Sequence, residues 1–143
     1  MIGRKIAANG GAFFKLYAEE INQFIAAKEG NEKMAEFITP LKAALANLAD
    51  LTEWVMEKAQ SNANEIGASS VEYLQVFGYT SFAYMYAMMA EQALEKEGSE
   101  PFYANKLATA RFFTKRLLPR YISLSESVKG GAECLYDLAA DQF

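Results

Sequence analysis

Residues 73–90 read YLQVFGYTSFAYMYAMMA, the longest stretch of the chain without a charge. A membrane-spanning helix needs about 20 predominantly apolar residues. This stretch comes close in length, but Gln75, Gly78, Thr80, Ser81 and the tyrosines at 73, 79, 84 and 86 make it a poor span. The same residues suit a helix held inside a soluble bundle and covered by its neighbours. Ser69 or Ser70 offers an N-cap and Glu72 an acid in the first turn, so the helix is predicted from there to about Glu97. Being apolar on nearly every side, it is expected to be the most buried helix of the set. Gly78 and Ser81, three apart, are small enough to let a neighbouring backbone approach closely.

The flanking segments are helical as well. Residues 12–28 place Phe14, Tyr17, Ile21, Phe24 and Ile25 at spacings of three and four, with Gly30 as a stop. Residues 32–60 set Met34, Leu41, Leu48 and Val55 seven apart, with Ile38, Leu45 and Thr52 between them. That alternation of three and four is the seam of helices packed at about 20°. Pro40 interrupts it: either Thr39 caps a new helix or the helix kinks. A fourth helix opens at Ser99-Glu100-Pro101 and carries Phe102, Leu107, Ala110, Phe113, Leu117, Tyr121, Leu124 and Val128 on its apolar face. Pro119 should bend or break it. Strand signals are nearly missing: valine, isoleucine and threonine are sparse and do not alternate.

Short connections between long helices force antiparallel neighbours. The expectation is an all-α fold, an up-down-up-down four-helix bundle with a short C-terminal helical tail. At 143 residues, 52% hydrophobic and 22% charged, the chain fits one globular domain over 1–143, with a lead-in at 1–11 and a tail at 132–143. The lead-in lacks the apolar core of a targeting signal.

The residues available for chemistry are few. Histidine is absent, which removes the commonest general base and metal ligand. It also excludes Ser-His-Asp and Cys-His catalysis and His-containing zinc or di-iron sites. Cys134 is the one cysteine, so no internal disulfide forms, in keeping with a cytoplasmic setting. It is expected as a small hydrophobe in the tail. No Gly-x-Gly-x-x-Gly, Walker loop or Cys-x-x-Cys occurs. Gly10-Gly11 reads as a flexible way into the first helix. Glu19, Glu20, Glu32, Glu36, Glu53 and Glu57 read as a solvated outer face. A net charge of −4 argues against nucleic acid as the main partner. No catalytic, cofactor-binding or metal-ligating residue is assigned.

One run stands apart. Lys106, Arg111, Lys115, Arg116 and Arg120 follow one another with no acid between Glu100 and Glu126. Arg111 and Lys115 are four apart, as are Arg116 and Arg120, giving two adjacent ridges. They read either as ion-pair partners of the acidic first and second helices or as a docking surface for an anionic ligand or acidic partner.

Taken in order, Ile2-Gly3-Arg4-Lys5, Gly10-Gly11, Phe77-Gly78-Tyr79, Met85, Met88-Met89-Ala90, Phe102-Tyr103, Lys106, Ala110-Arg111-Phe112-Phe113 and Leu117-Leu118-Pro119 form a fairly specific pattern. Across essentially the whole chain it resembles the C-terminal helical module of the larger bacterial acyl-CoA dehydrogenases. The resemblance implies that FAD and the acyl thioester are held by a preceding core. It also implies that the catalytic glutamate lies in a Tyr-Glu-Gly-Thr-like motif upstream of the Gly-Arg-Lys segment; this chain has no such motif. The expected function is therefore a non-catalytic domain that packs on the flavin-dependent core, in the same or a companion polypeptide, and shapes its substrate entrance or subunit contacts. Acyl-CoA would be met only through the parent enzyme. Over-apolar helices predict a weak homodimer. The alternative is an independent binding module whose basic fourth helix holds CoA phosphates or another anionic partner.

Overall fold

A computed structural model describes residues 1–6, 8–138 and 140–142. Within them the chain is all-α, with six α-helices: α1 (Ala12–Lys28), α2 (Ala35–Ser61), α3 (Asn64–Ala68), α4 (Ser70–Glu95), α5 (Pro101–Phe112) and α6 (Arg120–Lys129). No strand occurs among these residues.

The predicted seam of α2 forms the spine of the core. Met34, Leu41, Leu48 and Val55 are buried, and so are Ile38, Leu45 and Thr52. α2 runs unbroken through Pro40. Pro40 is the sixth residue of α2, past the first turn, so the helix continues there without the bond that an N–H at position 40 would give the Glu36 carbonyl. Gly30 has φ of 93°, a left-handed conformation that glycine adopts without a Cβ clash, and α1 ends just before it.

α4 lies beside α2 and antiparallel to it, Thr52 meeting Tyr73 near one end. α1 runs parallel to α4: Tyr17 stacks on Phe77, Phe24 meets Tyr84 edge-on, and Lys28 pairs with Glu91. α5 and α6 form a bent rod against α4 and α2, with Arg111 on Glu36, Ser125 on Asn47 and Lys129 on Asp50. These three pairs rise together along both elements, so the rod is parallel to α2.

Several expectations are corrected. α4 is not the most buried helix, since α2 buries more of its residues. The inner stripe of α4 is small, with Ala83, Ala87, Ala90 and Ala93 buried, while Val71, Leu74, Phe82, Met85 and Met89 face outward. Small residues let α4 pack closely against α2 and the rod, and the bulky ones are left outside. Gly78 admits no neighbouring backbone, because a Cβ there would meet nothing within 4 Å. A glycine inside a helix costs about 1 kcal/mol against alanine. Gly78→Ala is therefore expected to raise the unfolding free energy by roughly 0.5–1 kcal/mol at low protein concentration in urea melts; a loss would mean the site is filled.

Ser69 and Ser70 do not cap α4. Their hydroxyls donate back to the carbonyls of Glu65 and Ile66, because the short α3 already leads into the helix. Phe102 belongs to the exposed surface, not to the apolar face of the rod. The tail is not α-helical where it is described: Glu133–Leu135 and Ala140–Gln142 are 3₁₀ turns, and residues 139 and 143 lie outside the described part. Cys134 is exposed. The lead-in, of which residue 7 is not described, contributes to the core through Ile2 and Ile6, which sit with Leu48, Leu51, Val55 and Tyr73.

Tyr73 is fully buried, and its hydroxyl lies 2.7 Å from Thr52 Oγ1. Burial pushes its pKa up to about 12, against the partial opposition of that hydrogen bond. Tyr17 and Tyr121 are raised in the same direction, chiefly by burial. The fold holds the neutral phenol, so this stability is complete below pH about 10 and is lost as pH rises through about 12. For Tyr73 the loss is roughly 3 kcal/mol. Stability followed by circular dichroism should fall steeply over that range, and less steeply in Tyr73→Phe. Equal slopes would exclude Tyr73 as the source.

Candidate docking surface

The basic run lies on the α5–α6 rod, and the rod is not a regular helix. Between Phe113 and Leu117 it widens into a π turn, closed by the Leu118 N–H donating to the Phe113 carbonyl at 2.9 Å. The extra residue turns both Phe113 and Thr114 inward. Pro119 then starts α6, so the rod is broken where the sequence allowed a bend or a break. A spacing of four across a π turn no longer keeps two side chains on one ridge.

The five basic residues accordingly do not share one face. Arg111 faces α2: its Nε and Nη2 donate to Glu36 Oε1 at 2.9 and 2.8 Å, and Nε also reaches Oε2 at 3.0 Å. This two-pronged bond to Glu36 raises the Arg111 pKa further. For Arg111 the ion-pair alternative is the one realised. Lys106 and Arg120 face α4. Lys106 stands 5.2 Å from the centre of the Phe102 ring and lines a groove of about 380 Å³ with Met88, Met89, Gln92, Ala93 and Tyr103. Arg120 lines a wider groove of about 600 Å³ with Gln75, Gly78, Tyr79, Phe82, Ser123 and Leu124. Lys115 and Arg116 are exposed on the π turn. Among the described residues Lys106, Lys115, Arg116 and Arg120 form no ion pair with an acidic side chain of the chain.

Large apolar side chains are exposed on the rod and, separately, on α1. Phe102 and Phe112 on the rod are 55% and 56% exposed, and Phe13 and Leu16 on α1 are 54% and 64% exposed. The rod is anchored to α4 by Phe113, which stacks on Tyr86 at 4.6 Å and meets Phe82 edge-on at 6.2 Å. On the rod, exposed aromatics beside cations, such as Phe102 beside Lys106, suit protein contact.

Of the carboxylates expected on the outer face, Glu19, Glu20, Glu32, Glu53 and Glu57 are exposed, Glu20 accepting from the Tyr84 hydroxyl at 3.3 Å, while Glu36 holds Arg111. Glu65 escaped sequence reading, since nothing marks a glutamate in a polar connector as buried. It is 6% exposed, lies against Gly131, and its Oε2 has no hydrogen-bond partner among the described residues. Among those residues no group of three or more Cys, Asp or Glu is placed to hold a metal ion, and no helix is long and apolar enough to cross a membrane.

The model of a protein family described as acetyl-CoA dehydrogenase C-terminal like matches residues 17–139. A comparison with curated proteins finds no match.

Proposed function

The chain belongs to the acetyl-CoA dehydrogenase C-terminal-like family, and from this premise we propose that it is a non-catalytic helical module that packs on a flavin-dependent acyl-CoA dehydrogenase core. The core is part of the same polypeptide or of a companion one, and the module shapes its substrate entrance or its subunit contacts. The setting is cytoplasmic, and acyl-CoA is met through the parent enzyme. The observation that carries this reading is the set of large apolar side chains left uncovered on α1 and on the rod. Phe13, Leu16, Phe102 and Phe112 are each more than half exposed, and Lys115 and Arg116 stand beside Phe112 as a charged rim. Exposed aromatics with a polar rim fit a protein interface.

On this reading flavin belongs to the core. The groove beside Gly78 offers one cation, Arg120, for a pyrophosphate, and the sequence has no glycine-rich phosphate loop. The alternative of an independent site for CoA phosphates is weakened by the geometry: Arg111 is engaged by Glu36, and the other cations are spread along the rod.

The test is co-expression with a flavin-dependent acyl-CoA dehydrogenase core, followed by size-exclusion chromatography. The expected result is co-elution in a fixed ratio with a flavin absorbance band, reduced when Phe112→Asp or Leu16→Asp is introduced. Separate elution of two well-folded proteins would overturn the reading.

A further inference from the structure

α4 carries a second helix-packing seam on its outer face. Val71, Gly78 and Met85 fall seven apart, and Gln75, Phe82 and Met89 each follow four residues later. This is the same alternation of three and four that marks the α2 seam, displaced to the opposite side of the helix. Val71, Leu74, Phe82, Met85 and Met89 on this face are 63%, 53%, 58%, 51% and 38% exposed. At its centre Gly78 opens into the groove of about 600 Å³ lined by Tyr79, Phe82, Arg120 and Leu124. The chain carries the helix-weakening cost of that glycine and places nothing of its own in the space it leaves.

We propose that a second copy of this chain covers the seam, α4 against α4, antiparallel about a dyad beside Thr80. In that register Val71 lies opposite the second copy's Met89, Gln75 opposite its Met85, and Gly78 opposite its Phe82. Each Phe82 is then a knob and each Gly78 groove the hole that takes it. A parallel pairing sets phenylalanine on phenylalanine and leaves both holes empty.

The charges agree with the antiparallel register. Its dyad keeps the two α5–α6 rods on the same side. Glu72 stands seven residues before Tyr79, which touches Phe113, so it lies on the rod side of α4. Lys106, beside Met89, therefore meets the second copy's Glu72, and both are without an ion pair among the described residues. Arg120, beside Gly78, comes over the second copy's Phe82 ring. One helix pair covers less than the roughly 1,600 Å² of a standard interface, so the dimer is weak, on the order of micromolar. Its test is separate from that of the dehydrogenase reading, whose variants Phe112→Asp and Leu16→Asp lie outside the seam; Phe102, beside Lys106, borders it.

Sedimentation equilibrium of the full chain across a concentration series tests it. The expected result is a reversible monomer–dimer equilibrium that Gly78→Leu and Phe82→Ala each weaken at least tenfold. Gly78→Leu fills open space, so its thermal midpoint at low concentration should not fall. Lys106→Glu should weaken the dimer, and adding Glu72→Lys should restore it. A chain that stays monomeric at every concentration overturns the proposal, as does a dimer indifferent to Gly78→Leu and Phe82→Ala, or one in which the charge swap fails to rescue.

Discussion

Phe113→Ala is expected to lower the unfolding free energy by about 3–5 kcal/mol, the range for removing a buried phenylalanine. Phe113 is 4% exposed, stacks on Tyr86 at 4.6 Å, meets Phe82 edge-on and lies tilted against Tyr79 at 6.4 Å. Aromatic contacts of this kind add about 0.5–1.5 kcal/mol beyond area burial, which places the substitution towards the top of the range. Its position adds a structural reason. Phe113 opens the π turn, and the three rings it touches all belong to α4, so it fastens the rod where the rod departs from helical geometry. Phe113→Leu keeps most of the volume and should cost clearly less. Equilibrium urea melts of both variants measure this. A loss below about 1 kcal/mol for the alanine variant would mean that the rod is held elsewhere.

Leu48→Ala is the second large effect, at about 2–5 kcal/mol. Leu48 is fully buried in the part of the core shared by Leu51, Val55, Tyr73 and Val76, with Ile2 and Ile6 closing it from the lead-in. A cavity there is walled by elements distant in sequence, which limits relaxation. Glu53→Ala, on the exposed face of the same helix, should stay within about 0.5 kcal/mol. Comparable losses in the two variants would mean that the phase of α2 is misread.

The α2 seam was legible because seven-residue spacing acts over the whole length of a helix, and a single proline near its start does not erase it. α4 was legible as a helix and misread as to its faces. Hydropathy counts apolar residues without saying which stripe a neighbour needs, and here close packing selects the alanines. The contribution of Ile2 and Ile6 carried no periodic signal, being two residues in a short polar segment. The π turn depends on one extra residue, visible only as the doubled pairs Phe112-Phe113 and Leu117-Leu118. That residue is also why the two basic ridges drawn at spacings of four do not form one surface. Arg111 found its partner 75 residues away in Glu36, a contact set by tertiary packing alone.

The family assignment and the exposed apolar side chains support the proposed role beside a flavin-dependent core. The most direct measurement is the absorbance spectrum of the purified chain, with acyl-CoA-dependent dye reduction assayed on the same sample and on the sample mixed with its dehydrogenase core. The prediction is no flavin band and no dye reduction from the chain alone, with both present in the mixture. A flavin band co-purifying with the isolated chain, or dye reduction by it without the core, would contradict the account.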